Sequence, residues 1–154
     1  MALSNKVHKS LLLLSMLCYG VALCFPGLAP YEPNPQGFTG VAGYVCLAFG
    51  WSTIVTGTKY FLPWLANLFY FPALLVWGVT TKPPRWGAVM AGVGLALTAL
   101  TFRIDTVMVN EAGQRVGVRP GLGAWLWMAS FAVLLVGFLL QGRLNLKTGM
   151  VDRG

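Results

Sequence analysis

The stretch over residues 40–81 most constrains the fold, because it is an almost unbroken apolar run in which Lys59 is the only charged residue. Lipid solvates such a run better than water does, so it predicts an integral membrane protein. Its second half, KYFLPWLANLFYFPALLVWG, contains two prolines, an isolated Asn67 and seven aromatic residues. We expect this half to be irregular, and the way it lies in the bilayer determines the topology of the chain.

The composition supports the same class of protein. Of the 154 residues, 56% are hydrophobic and 10% are charged, whereas about a quarter of the residues in a soluble protein are charged. We therefore expect a single integral membrane domain over residues 1–154. The net charge of +7 is scattered among short loops. This distribution predicts contact with anionic lipid headgroups and argues against nucleic-acid binding, which needs a clustered basic face.

Five apolar segments predict the helices, at about residues 10–26, 40–57, 60–80, 86–102 and 122–140. A polar loop occupies residues 103–120, where the run around TVMV, the turn-like NEAGQ and the returning RVGV predict a short β-hairpin. The predicted fold is an all-α polytopic membrane protein with four to five transmembrane helices. The hairpin is expected to be extracytoplasmic and to lie between the last two helices.

The positive-inside rule leaves two layouts open, both with a cytoplasmic N-terminus in a bacterial cytoplasmic membrane. If residues 60–80 cross the bilayer, there are five spans, with six basic residues inside and five outside. If this segment dips in and returns, there are four crossings, with eight basic residues inside and only Arg103, Arg115 and Arg119 outside. The charge count favours the second layout, and the length of the segment favours the first.

Small residues at helical spacing predict two packing surfaces. Gly43, Gly50 and Gly57 recur every seven residues and therefore lie on one stripe of a helix. Ala88, Gly92 and Ala96 recur every four residues in a later segment. Such residues let helix backbones approach closely in lipid. The partner helix is expected to come from this chain, from a second copy or from another membrane protein.

The polar residues give little support for catalysis. All four acidic residues and the sole histidine, His8, lie outside the apolar segments, so we expect no enzyme, no metal site and no cofactor. Asn67 is the main candidate polar contact, because an amide in hydrocarbon must find hydrogen-bond partners. Lys59, near the end of a segment, is a second candidate. The partner of Asn67 is either the protein itself, beside Pro63 and Pro72, or a bound molecule.

The three cysteines lie in apolar segments without a CxxC or zinc-binding spacing, which favours a role as small buried side chains. Cys24 and Cys46 are expected at similar depths on neighbouring helices, which keeps a thiol-redox function as a weaker alternative.

Three sequence elements, GYVCLAFGW, PWLANLFYFPALL and GAWLWMASF, together resemble a family of small bacterial polytopic membrane proteins. That family carries a Trp-x-Ala-Asn element and a closing helix with an aromatic-Leu-Trp-x-Ala-Ser pattern, and the resemblance implies no activity. The expected function is that of a non-enzymatic structural or interaction subunit of the membrane. The alternative is a small transport, ligand-binding or lipid-binding module that uses the broken segment around Asn67.

Overall fold

The computed structural model describes the main chain of residues 2–32, 37–55, 58–79, 85–108 and 114–151, with side chains from residue 7 to residue 142 except at positions 8, 55 and 58–60. The chain is mostly helical. The α-helices are α1 (Ala2–Cys24), α2 (Gly43–Phe49), α3 (Thr58–Trp64), α4 (Ala66–Val79), α5 (Arg85–Ala99) and α6 (Leu122–Val151). Two 3₁₀ helices cover Gly50–Val55 and Leu100–Arg103. The strands are β1 (Pro26–Pro30), β2 (Val41–Ala42), β3 (Thr106–Met108) and β4 (Arg115–Pro120).

Helices α1, α4, α5 and α6 form a bundle whose contacts lie at successive levels. At one end, Gly123 of α6 is so close to α1 that an added Cβ would lie 2.9 Å from the Ala22 carbonyl oxygen. In the middle, Ser15 of α1 bonds to Ser130 of α6. At the other end, Phe138 of α6 faces Gly87 of α5. Helices α1 and α5 therefore run antiparallel to α4 and α6.

Aromatic side chains fill the bundle interior. The apolar core contains Tyr19, Ala66, Tyr70, Ala73, Trp77, Ala91, Phe131, Leu134 and Phe138. Trp77 is 1% exposed and its indole lies against Gly137, where no side chain fits. The inner side of α5 is made of small residues, because Phe131 and Phe138 pack directly on it. Large residues on α6 thus interlock with small residues on α5.

The number of long apolar helices differs from the predicted four to five. Three helical stretches in the described ranges are long and apolar enough to cross a membrane: Phe61–Val79, Arg85–Arg103 and Leu122–Gly142. Lys9–Cys24 and Gly43–Ile54 are shorter. The segment over residues 40–57 is divided into β2, the seven-residue α2 and a 3₁₀ helix. A helix of that length rises about 10 Å, well short of the roughly 30 Å hydrocarbon core.

The predicted hairpin is present, but it belongs to a larger sheet than an all-α fold allows. Strands β3 and β4 pair in antiparallel fashion, with Val107 opposite Val116. The sheet continues through β1 to β2, in the order β2-β1-β4-β3. Leu28, Ile104 and Val118 form a second buried apolar cluster on it. An isolated hairpin is marginal in water, and β1 supplies the pairing and apolar cover that this hairpin needs.

Candidate functional site

Asn67 bridges two helices that the sequence separates widely. The Tyr19 hydroxyl of α1 donates to Asn67 Oδ1 over 2.8 Å, and Asn67 Nδ2 donates to the Trp64 carbonyl over 3.0 Å. The side chain is 5% exposed. Both ends of the amide are therefore satisfied within the protein, as a buried polar group requires.

The hydrogen bond that Asn67 Nδ2 donates satisfies a backbone carbonyl at the junction between α3 and α4. The helix is interrupted at Leu65, two residues after Pro63. There the Leu68 N–H bonds to the Leu65 carbonyl, only three residues back, over 3.0 Å. The Trp64 carbonyl accepts the Asn67 amide instead. The amide thus satisfies backbone at an irregular point of the helix.

A second set of polar contacts lies deeper in the bundle. Ser15 Oγ donates to the Ser130 carbonyl over 2.8 Å and lies 3.0 Å from the Tyr70 hydroxyl. Because a serine hydroxyl has only one proton to donate, the Tyr70 hydroxyl donates to Ser15. The rings of Tyr19 and Tyr70 stack, with centroids 4.3 Å apart. Polar and aromatic contacts together connect α1, α4 and α6.

A cavity of about 360 Å³ opens where the bundle meets the sheet. Most of its wall is apolar, and its polar side chains include Asn67, Thr101 and Arg115. Exposed residues at its edge, such as Met108 and Arg115, connect it to the surface. Its size is within the range of about 300–1,000 Å³ that is usual for small-molecule sites. The cavity and the Asn67 contacts are therefore adjacent.

The predicted packing glycines do not share one partner. A Cβ at Gly43 would overlap the Ala22 carbonyl of α1, and a Cβ at Gly50 would collide with the Trp64 indole of α3. Gly57 lies outside the described residues, and Lys59 is within α3 without a described side chain. The two described glycines thus each accommodate a close neighbour, but on different helices.

The predicted packing surface of Ala88, Gly92 and Ala96 on α5, which we call the outer lane, faces partly outward. Ala96 is exposed, Gly92 is half-buried with nothing within 4 Å of an added Cβ, and Ala88 packs at the margin of the core. A different set faces inward, comprising Gly87, Ala91, Gly94 and Thr98. The lane seen in the sequence is therefore the outer of two.

Cys18, Cys24 and Cys46 are free thiols, of which Cys24 is exposed and the other two are half-buried. A thiol-redox role stays a prediction. In the described part of the chain, no group of three or more His, Cys, Asp and Glu residues is arranged to hold a metal ion.

Sequence reasoning did not single out Tyr19, Tyr70 or Thr101 as site residues. A tyrosine in an apolar helix is also typical of core packing, so composition carries no signal for the Tyr19–Asn67 contact. Pairing them requires knowledge that α1 lies beside α4. No family model, no curated protein and no solved structure matches this chain.

Proposed function

We propose that this chain is a multi-pass protein of the bacterial cytoplasmic membrane that has no catalytic centre and acts as a structural or interaction subunit. Large apolar side chains on the outside of all four bundle helices carry this proposal. They are exposed by between 39% and 75%, and include Leu13, Leu17, Phe71, Leu75, Val79, Val89, Val93, Val136 and Leu139. Soluble monomers rarely expose such extensive apolar surface, whereas lipid covers it without cost.

The positions of the helix ends support four crossings, by the 23-residue α1 and by the stretches Phe61–Val79, Arg85–Arg103 and Leu122–Gly142. In this arrangement residues 60–80 cross and residues 40–57 do not, which differs from both layouts expected from the sequence. The described helix segments at the end of the bundle away from the sheet carry five basic residues, Lys6, Lys9, Arg85, Arg143 and Lys147, and Lys82 and Arg153 lie next to these segments in the sequence. The remaining four, Lys59, Arg103, Arg115 and Arg119, belong to the end with the sheet. The positive-inside rule then makes the N-terminus cytoplasmic and the sheet extracytoplasmic.

The outer lane on α5 is the surface through which we propose that the protein associates. Gly92 has open space around its Cα, and the neighbouring Val89 and Val93 are 52% and 39% exposed. A small residue flanked by valines gives a shallow groove into which another transmembrane helix packs. The helix belongs to a second copy of this chain or to a partner membrane protein.

Gly92→Leu tests this role. Because an added Cβ at Gly92 meets nothing within 4 Å, the variant is expected to retain the thermal stability of the isolated chain. The complex isolated in mild detergent is expected to dissociate, since leucine holds the helices apart. Native mass spectrometry reads the mass of the complex and distinguishes a second copy from a different protein.

Gly94→Leu is the matched control, two residues away on the inner side of the same helix. Its side chain would collide with Phe131, so this variant is expected to lose stability irrespective of any partner. If Gly92→Leu and wild type form the same complex with equal yield, the outer lane is not the association surface. A wild-type chain that is monomeric and alone in native membranes would refute the subunit role.

A further inference from the structure

We propose that the cavity between the bundle and the sheet binds a single-chain amphiphile with an anionic head group. The apolar chain of the ligand lies against the apolar wall, and its head group lies at the polar, open side of the cavity. This binding site is independent of the proposed association through α5, which uses a different face of the protein.

The wall of the cavity favours an acyl chain over water. It includes Leu23, Leu47, Pro63, Trp64 and Trp127. Water gains few hydrogen bonds on such a surface, and apolar cavities hold apolar guests readily. A volume of about 360 Å³ is near the lower limit for small-molecule sites. It therefore suits one chain rather than a two-chain bilayer lipid.

Thr101 supplies an unsatisfied polar group in the same wall. Its residue is 7% exposed, and Oγ1 is buried without a hydrogen-bond partner in the described part of the protein. Other helical hydroxyls bond back to a carbonyl three residues earlier, as Thr98 does to Leu95 over 2.7 Å and Ser130 to Trp127 over 2.6 Å. Oγ1 itself has almost no accessible surface without a ligand. Because an orphaned buried hydroxyl is costly, the proposed contact has the Thr101 side chain rotate so that its hydroxyl donates to a ligand oxygen.

Arg115 gives the site its preference for negative charge. It begins β4, is exposed, and lines the cavity together with the exposed Met108. A guanidinium at the opening attracts a carboxylate or phosphate group and bonds to it through several N–H donors. The cavity thus combines an apolar interior with a cationic opening, which is the pattern that an anionic amphiphile complements.

Quenching of tryptophan fluorescence by brominated stearate tests the proposal, because Trp64 and Trp127 line the cavity. The protein is held in nanodiscs of phosphatidylcholine, and unbrominated stearate is the competitor. We expect quenching that saturates and is reversed by the competitor. A tryptophan that only faces the lipid is quenched in proportion to the amount of brominated stearate that partitions into the bilayer. Quenching that rises linearly with this amount and is not reversed by the competitor would therefore overturn the proposal.

Two variants and one further competitor, stearyl alcohol, locate the contacts. Thr101→Val keeps the shape of the side chain and is expected to weaken stearate binding about threefold to tenfold, the loss for one hydrogen bond. Its melting temperature is expected to equal or exceed that of wild type, because an unpaired hydroxyl has been removed. Arg115→Gln is expected to abolish the preference for stearate over stearyl alcohol. If wild type and Thr101→Val bind stearate with equal affinity, the proposed site is refuted. If wild type binds stearate and stearyl alcohol equally well, the preference for negative charge is refuted.

Comparison of stearate with stearoyl lysophosphatidylglycerol identifies the source of the head group. Stronger competition by stearate assigns a fatty-acid carboxylate, and stronger competition by the lysolipid assigns a phosphate. Val45→Phe, which fills part of the cavity from α2, is expected to weaken binding of both. Unchanged binding in that variant would also contradict the proposal.

Discussion

The contact between Tyr19 and Asn67 gives a quantitative prediction about stability. Asn67→Ala removes the hydrogen bonds of 2.8 Å and 3.0 Å and leaves the Tyr19 hydroxyl buried without a partner. A hydrogen bond between membrane helices contributes about 0.6 kcal/mol on average, and an unpaired buried hydroxyl costs at least about 1 kcal/mol. We therefore expect Asn67→Ala to lower the free energy of unfolding by about 2 kcal/mol or slightly more.

A double-mutant cycle with Tyr19→Phe isolates the contact itself. Tyr19→Phe alone leaves Asn67 Oδ1 without its donor and is expected to cost about 1 kcal/mol. In the double variant no tyrosine hydroxyl remains to be unsatisfied, so only the loss of the two hydrogen bonds counts and the total is expected to be about 1 kcal/mol rather than about 3. The resulting coupling of about 2 kcal/mol is within the range found for residues in direct contact.

The assay is equilibrium unfolding in mixed micelles with an increasing fraction of sodium dodecyl sulfate, followed by tryptophan fluorescence. Asn145→Ala, beyond the last apolar segment, is the control and is expected to behave as wild type. If the free energy lost in the double variant equals the sum of the losses in Asn67→Ala and Tyr19→Phe, the hydrogen bond between the two side chains is refuted. An unchanged free energy for Asn67→Ala, accompanied by loss of bound material, would instead assign the amide to a ligand.

Two glycine substitutions test the packing of the bundle. Gly137→Leu is expected to prevent folding or cost at least about 3 kcal/mol, because the added side chain would occupy the space of the Trp77 indole; the yield of monodisperse protein in detergent measures this. Gly50→Leu is expected to lower the melting temperature by displacing Trp64, with thermal unfolding as the readout. Gly142→Leu, where an added Cβ meets nothing within 4 Å, is the control for both, and equal behaviour of the three variants would refute the packing argument.

Local sequence predicted the features that depend on neighbouring residues. The apolar runs at residues 86–102 and 122–140 correspond to helical stretches of nearly the same bounds, because each run is long enough to form a helix by itself. The turn-like NEAGQ between β-branched runs likewise predicted β3 and β4. Strand β1 was not predictable from the sequence, because Pro26 and Pro30 stand at its ends and proline is unfavourable inside sheets.

The division of residues 40–81 was less predictable, because both halves are equally apolar. What distinguishes them is contact with distant residues. The start of α2 lies against Ala22 and Leu23 of α1, where only a glycine at position 43 fits. The Trp64 indole packs on Gly50 and donates to the Leu47 carbonyl over 2.8 Å. These contacts hold the first half near the sheet and leave the second half to form the long helix.

The direction of the small residues on α5 also required the structure. Gly92 and Gly94 are two positions apart, and both belong to regular lanes of small residues. Only the position of Phe131 identifies Gly94 as the inner one. The partners of Asn67 were hidden for the same reason, since Tyr19 is 48 residues away along the chain.

Cysteine labelling at three positions tests the proposed arrangement in the membrane most directly. In a variant without native cysteines, Lys59→Cys, Arg85→Cys and Arg119→Cys are made singly and treated in intact spheroplasts with a membrane-impermeant maleimide. The four-crossing bundle predicts that positions 59 and 119, at the end with the sheet, are labelled. Position 85 is expected to react only after the membrane is opened. If position 59 is protected in intact spheroplasts and reacts only after the membrane is opened, residues 40–57 cross the membrane and the four-crossing arrangement is contradicted.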